Sequence, residues 1–187
     1  MNWNRLRDSL RCLFLPRSHR RRVRQARRVL RKVRPWLQEP SGAARVFGSL
    51  RKIDALAFEE LVLQSFVDAG WYVRRGTRYS GDGGIDGHTR PPGHPYWMPI
   101  QCKRYRSHID PAHVRDFAHL IYPSRGFFIH TGRTGAASWD ARRGPGVVVV
   151  SGEKLVDLVQ GRFEFPRPQL KVRAGLSGPY RRQRYDE

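Results

Sequence analysis

Cysteines and long apolar runs are scarce in this sequence, and both absences narrow the class of protein. Only Cys12 and Cys102 occur in 187 residues, too few for a disulfide framework. We therefore predict two free thiols in a reducing cytoplasm. No apolar run approaches the roughly 20 residues that span a bilayer. Arg5, Asp8 and Arg11 stand where a signal peptide would be apolar. These features favour a cytoplasmic protein over a secreted or membrane-spanning one.

Acidic residues are also scarce, and the resulting excess of positive charge is uneven. The chain has 36 Lys and Arg against 16 Asp and Glu, a net charge of +20. Residues 1–50 hold 14 basic and 2 acidic side chains, residues 51–161 hold 15 and 11, and residues 162–187 hold 7 and 3. We therefore predict a basic helical arm with a linker (1–50), a globular domain (51–161) and a basic, flexible tail (162–187). Basic arms of this kind suit a polyanion, because each neutralised phosphate releases counterions.

The arm contains two helical patterns. Trp3, Leu6, Leu10 and Leu13 recur at three- and four-residue steps, which predicts a short amphipathic helix ending near Pro16. A second helix follows, with one apolar face: Val23, Ala26, Leu30, Val33 and Leu37. Its remaining surface is basic: Arg20, Arg21, Arg24, Arg27, Arg28, Arg31 and Lys32. Residues 39–42 predict a linker after this helix.

Three interpretations of the basic helix remain open. It could grip a phosphate backbone, since so dense a row of like charges repels itself unless an anion is near. It could instead be a solvated helix whose apolar stripe packs on the main domain. An anionic membrane surface is a third, less favoured partner.

The central region predicts an α/β domain in the order αβββαββα. Asp54 is a plausible N-cap for the first helix, and Gly70 ends it. Asp110, followed by Pro111, begins a later helix in the same way. The strands are predicted at 71–75, 83–89, 97–105, 126–130 and 147–150, and a closing helix at 153–160. This order predicts a mixed central sheet flanked by helices.

Four side chains within this domain form a candidate catalytic set. Asp86 lies in the glycine-rich stretch Gly-Asp-Gly-Gly-Ile-Asp-Gly, predicted to be part of the second strand. Gln101 and Lys103 have the same parity on the third strand and so share a face. If the two strands form a hairpin, Asp86 lies opposite them, and Glu59 could reach the same spot from the first helix. Carboxylate and amide oxygens suit Mg²⁺ or Mn²⁺, and Lys103 could orient or deprotonate a water or hold a phosphate.

Each of these residues also has a structural explanation. An Asp in a glycine-rich turn is often only a turn residue, Gln-x-Lys is a common triplet, and Glu59 alone would be an ordinary helix-surface acid. Cys102, His108 and His113 offer an alternative set of zinc ligands. We do not favour zinc, because Cys102 should face away from Lys103. Spacing alone therefore leaves the nature of the site open.

Four stretches of the chain resemble the signature of the Mrr-like restriction endonuclease catalytic domain, which belongs to the PD-(D/E)XK nuclease superfamily. They are Phe-Glu at 58–59, Gly-Trp-Tyr-Val at 70–73, Ser-Gly-Asp-Gly-Gly-Ile-Asp-Gly at 80–87 and Gln-Cys-Lys-Arg-Tyr at 101–105. The resemblance covers roughly residues 52–161. It implies a restriction-endonuclease-like core and divalent-metal-dependent cleavage of DNA.

The resemblance also implies roles for individual residues. Asp86 would be the metal-binding aspartate, Gln101 would replace the usual acid of the third strand, Lys103 would be the catalytic lysine, and Glu59 would match the helix glutamate. Asp82 matches a recurrent position of the family and would either support the metal ligands from behind or fix the loop. No separate winged-helix recognition domain is visible, so the sequence does not indicate which DNA, modified or unmodified, is cut.

We therefore predict a cytoplasmic, metal-dependent DNA endonuclease of restriction type, with Mg²⁺ or Mn²⁺ as cofactor. The basic helix and Arg104 would contact DNA, and cutting of both strands would favour a homodimer. The main alternative is a DNA-binding module that has an inactive nuclease fold.

Overall fold

The computed structural model describes residues 3–76, 84–135 and 146–164, with only the backbone described at residues 3–5 and 11. The predictions for Asp82 and for the tail beyond residue 164 lie outside these ranges. The helices are α1 (Trp3–Leu13), α2 (Arg17–Val33), a short 3-10 helix (Pro35–Gln38), α3 (Gly42–Leu50), α4 (Ala55–Asp68), α5 (Pro111–Ile121) and α6 (Gly152–Val159). Within the described ranges, no helix combines the length and the apolar character needed to cross a bilayer.

Five strands form one mixed sheet. They are β1 (Tyr72–Arg75), β2 (Gly87–Arg90), β3 (Met98–Lys103), β4 (Gly126–His130) and β5 (Val147–Val150). The strands lie in the order β1-β2-β3-β4-β5, antiparallel from β1 to β3 and parallel from β3 to β5. Helix α5 supplies the crossover that the parallel pair β3–β4 requires. From α4 onward the described elements follow the predicted order αβββαββα, so the predicted α/β class is confirmed.

Local capping explains where the two main helices begin. The Asp54 side chain accepts a hydrogen bond from the Ala57 N–H at 3.2 Å, and α4 starts after it. Asp110 accepts from the Ala112 N–H at 2.8 Å, with Pro111 at the first helical position. Each cap satisfies an N–H group that has no partner inside the helix. Both predicted helix starts are confirmed.

The sheet separates two apolar layers. Phe58, Phe66 and other α4 side chains pack with Ile100 and Cys102 of β3, whereas Phe117 of α5 packs with Phe128 in a second cluster. Because strand side chains alternate between faces, Cys102 points away from the face that carries the neighbouring residues 101 and 103. This orientation was predicted.

Helices α2 and α3 share the core of the sheet domain. Ala26, Leu30 and Val33 of α2 and Val46 and Leu50 of α3 are buried in the same cluster as the inner face of α4. The apolar stripe of the basic helix therefore packs on the main domain. Helix α3 was not expected, because residues 39–42 predicted only a linker. The predicted boundary at residues 50/51 remains a prediction, but one core spans both sides of it.

Helix α1 is docked with its polar side inward. Leu10 is 54% exposed and Leu13 62% exposed, whereas Asp8 is 6% exposed. The Asp8 carboxylate pairs with the guanidinium groups of Arg75 and Arg27. An amphipathic helix was predicted from its leucines. Its orientation follows instead from a carboxylate that must meet two cations, because an unpaired charge is costly to bury.

Candidate active site

The hairpin of β2 and β3 holds Asp86 against β3. Gly87 pairs with Ile100, the Asp86 N–H donates to the Ile100 carbonyl at 2.8 Å, and Asp86 Oδ2 accepts from the Cys102 N–H at 2.6 Å. The predicted hairpin is therefore present. The prediction that Asp86 lies within the second strand is wrong, because β2 begins at Gly87. The Asp86 carboxylate takes the Cys102 N–H that a ladder carbonyl would otherwise accept, so regular pairing ends here.

Gln101 is fixed by the glycine-rich stretch. Its Nε2 donates to the Gly84 carbonyl at 2.7 Å, and the side chain is largely buried. Gly84 has a φ of +93°, and a Cβ there would lie 2.6 Å from Gln101 Nε2. A glycine is therefore required for both the backbone conformation and the close approach. Since the amide nitrogen binds Gly84, the amide oxygen is the Gln101 atom suited to a cation.

Glu59 approaches the site from α4. Its pKa is raised to about 8, first by burial and then by the negative charges of Asp86, Glu60 and Asp54, while Lys103 lowers it. Glu59 is thus within electrostatic reach of Asp86 and Lys103. That the two carboxylates, the Gln101 amide oxygen and the Lys103 ammonium form one site remains a prediction.

Lys103 ends β3 beside a neutral histidine that the sequence did not single out. Lys103 pairs in register with His130 of the parallel strand β4. His130 Nδ1 accepts from the Gly132 N–H at 3.1 Å, and burial lowers the His130 pKa to about 4. At neutral pH His130 therefore adds no positive charge beside Lys103. Only the strand register, which the sequence does not specify, could have identified this neighbour.

The chemistry of the predicted ligands fits a hard divalent cation. Oxygen atoms of two carboxylates and one amide match the preference of Mg²⁺ and Mn²⁺. Burial first, and the negative charge of Asp86 next, raise the Glu59 pKa, and a bound cation would offset that negative charge. Among the described residues, no group of three or more His, Cys, Asp or Glu is arranged to hold a metal. The candidate set has only two such residues, Glu59 and Asp86, and depends on Gln101 for a third ligand.

The weaker candidate sites have structural roles in the part of the chain described. Burial raises the Cys102 pKa well above its ordinary value, which disfavours a metal-binding thiolate. The Tyr105 hydroxyl lies 2.6 Å from His113 Nδ1. Arg104, although exposed, donates to the Ile53 carbonyl at 2.5 Å and so helps to hold the α3–α4 connection.

The basic residues of α2 differ in their surroundings. Arg27 Nε donates to Gln64 Oε1 at 2.9 Å, and its Nη2 lies 3.3 Å from Asp8 Oδ2, so Arg27 joins α2 to α4 and α1. Arg20 is partly buried. The other predicted DNA contacts on this helix are exposed: Arg21, Arg24, Arg28, Arg31 and Lys32.

The comparison with family models agrees with the resemblance seen in the motifs. The family model of the Mrr catalytic domain, described as a restriction endonuclease, matches residues 50–159. None of the curated proteins that were compared matches the chain. Among solved structures, the MspJI restriction endonuclease in complex with a 27-mer oligonucleotide is similar, with 23% identity and a TM-score of 0.46. The match covers 66% of this chain and 31% of that chain.

Proposed function

Because this chain belongs to the Mrr catalytic-domain family of restriction endonucleases, we propose that it hydrolyses phosphodiester bonds in DNA with the help of Mg²⁺ or Mn²⁺. The observation that carries this proposal is that the Asp86 carboxylate and the Gln101 amide are both fixed on the β2–β3 hairpin, by the Cys102 N–H and the Gly84 carbonyl. Glu59 on α4 lies within electrostatic reach of Asp86, and its pKa is raised to about 8 by burial first and by that charge next. A bound divalent cation would offset the negative charges of these acids.

Each residue of the set would have a defined task. Asp86, the amide oxygen of Gln101 and Glu59 would hold the cation. When bound, the cation would supply an activated water and stabilise the charge that builds on the phosphate. The Lys103 ammonium would hold the scissile phosphate or orient the attacking water. The hydrogen bonds to Gly84 and Cys102 keep Gln101 and Asp86 in place before substrate arrives.

The proposal extends to how the two strands are cut. One such site serves one strand at a time, so double-strand cutting would use a homodimer. Modified DNA is a candidate substrate, and the cytoplasm remains the predicted compartment.

The second candidate is a DNA-binding module that has lost catalysis. Gln101 favours this binding module. A neutral amide at the position of the usual third-strand acid reduces the negative charge that attracts a cation. In that case Asp86 and Gln101 would serve only to close the β2–β3 hairpin. Divalent-ion binding that depends on Asp86 distinguishes the two candidates.

The decisive test is cleavage of supercoiled plasmid, methylated and unmethylated, with Mg²⁺ or Mn²⁺. We expect Asp86→Ala and Lys103→Ala each to slow nicking or linearisation by about 10²-fold or more, the range typical of lost acid–base or charge-stabilising groups. The control is Asp116→Ala, which removes an exposed acid from α5 and should cut like the wild type.

Two outcomes would contradict the proposal. Cleavage that survives both substitutions would place the activity elsewhere or in a contaminant. Absence of cleavage in the wild type, with equal DNA binding by all variants, would support the binding module.

A further inference from the structure

Most arginines of α2 fall into two groups. Two of them anchor the helix: Arg22 lies 2.9 Å from Asp54 Oδ1, and Arg27 binds Gln64 and Asp8. Arg34, directly after the helix, adds a third anchor, 2.5 Å from Asp68 Oδ2. Arg34 Nε also donates to the Val159 carbonyl at 2.7 Å. These contacts, together with the buried apolar stripe, fix α2 on the sheet domain, so α2 is not a loose arm in the described structure.

The second group lines a groove of about 650 Å³. Its lining residues are Arg17, Arg20, Arg21, Arg24, Gln25 and Arg28. Among the lining residues that the structure describes there is no carboxylate, and none of the five arginines has an acidic partner among the ion pairs of the described residues. The buried Arg20 Nε also lacks a hydrogen-bond partner within that part of the chain. The groove therefore collects five guanidinium groups that no described carboxylate neutralises.

The dimensions of this row match a nucleic-acid strand. Arg17 to Arg28 spans 11 steps, about 16 Å at 1.5 Å per residue. One strand of B-DNA presents a phosphate about every 3.4 Å of helix axis, so the row extends over about five phosphates. Arginine is also suited to phosphate, because its planar fork can donate two parallel hydrogen bonds.

The orientation of α2 argues against a lipid partner. A helix that lies on a membrane turns its apolar face to the bilayer. The apolar face of α2, including Val23, Ala26 and Leu30, is buried in the protein, and the groove is formed by charged side chains. An extended polyanion is therefore the better match.

We propose that this groove binds the phosphate backbone of duplex DNA, independently of the metal and without reading sequence. The inference rests on the proposed function in taking DNA as the substrate. The rigid attachment of α2 to α4, the helix that carries Glu59, would hold the bound duplex at a set position relative to the active site. Arg27 has an anchoring role here, and Arg31 and Lys32 lie outside the groove.

The test measures binding of a fluorescent 30-bp duplex over a salt series. EDTA is present throughout, so that metal-dependent cleavage cannot occur. Arg21→Ala/Arg24→Ala removes two charges from the groove, and Arg31→Ala/Lys32→Ala removes two exposed charges from the same helix outside it. Alanine favours helix, and circular dichroism confirms folding. We expect the groove variant to lose about tenfold or more in affinity, and its log–log salt slope to shrink by about 1.8, at 0.9 per phosphate contact. The control should change its slope by less than half of that.

Equal losses in the two variants would mean that overall charge, not the groove, binds DNA, and would overturn the inference. So would unchanged DNA binding accompanied by loss of binding to vesicles of anionic phospholipid. A protein that binds through the groove but cuts nothing with Mg²⁺ would retain this inference and refute the nuclease. Cleavage by a protein whose groove does not bind DNA would support the nuclease and refute this inference.

Discussion

Glu59 and Glu60 are neighbours on α4, but their surroundings differ in charge. The acids around Glu60 are balanced by cations, whereas negative charge is in excess around Glu59. Glu60 is 2% exposed, and its Oε2 lies 2.8 Å from Arg75 Nε. Arg75 also pairs with Asp8, which in turn pairs with Arg27. The pKa of Glu59 is instead raised to about 8, by burial first and by the negative charge of Asp86 next.

The difference separates acids that hold the fold from acids that are available to a ligand. Although burial lowers the Arg75 pKa, the charges of Asp8 and Glu60 raise it above its ordinary value, so that cluster keeps its cation. At Glu59, Lys103 lowers the pKa, but burial and the neighbouring acids raise it more. One step along a helix therefore changes a structural ion cluster into a candidate cation site.

The largest expected effect comes from breaking the balanced cluster. Glu60→Gln removes one carboxylate from Arg75 and leaves that guanidinium buried with less compensation. We expect the free energy of unfolding to fall by about 3 kcal/mol, as in other broken buried ion pairs. Urea denaturation in EDTA measures it. A loss below about 1 kcal/mol, the value of an exposed pair, would mean that the cluster does not support the fold.

The same substitution one residue earlier should act in the opposite direction. Glu59→Gln removes a charge from the pair of facing acids, so without metal the urea midpoint at pH 9 should rise. In the presence of Mg²⁺ the variant should lose the stabilisation that the wild type gains from the ion. If Glu59→Gln destabilises the metal-free protein as Glu60→Gln does, the two clusters do not differ as described.

The pH dependence of stability sharpens this contrast. Glu59 has an ordinary pKa of 4.5 and a folded pKa of about 8. Between these values the folded protein keeps a proton that the unfolded chain has released, so the contribution of Glu59 to stability falls as pH rises. The wild type should therefore lose stability relative to Glu59→Gln from about pH 5 to about pH 8, with no further change above. Urea unfolding of both proteins across this range in EDTA tests it, and parallel curves would contradict it.

A smaller effect is expected at the support of Gln101. Gly84→Ala would place a methyl group 2.6 Å from Gln101 Nε2 in a backbone conformation with φ of +93°. Displacement of the amide should weaken Mg²⁺-dependent cleavage by about tenfold, the lower end for residues that orient metal ligands. Gly48→Ala on α3 is the matched control, because its added Cβ meets nothing within 4 Å. Equal activity of the two variants would show that Gln101 does not depend on Gly84.

Much of the sheet domain followed from local patterns in the sequence. The caps at Asp54 and Asp110, the buried valines of β5 and the alternation along β3 depend on residues only a few positions apart. The same alternation placed Gln101 and Lys103 together and turned Cys102 away from them. The family match at residues 50–159 agrees with motifs that were visible in the sequence, whereas the roles of the four site residues remain predictions.

What the tertiary structure decided depends on contacts between distant residues. The burial of the polar side of α1 requires Arg75, which is 67 positions from Asp8. The division of the α2 arginines into anchors and groove depends on where Asp54, Gln64 and Asp8 lie. The start of β2 depends on the hydrogen bond between Asp86 and Cys102. The sequence by itself determined the elements and their chemistry, because periodicity and capping are local. The orientation of the helices and the charge balance of each cluster were decided only in the folded chain, because burial and ion pairing depend on residues that folding brings together.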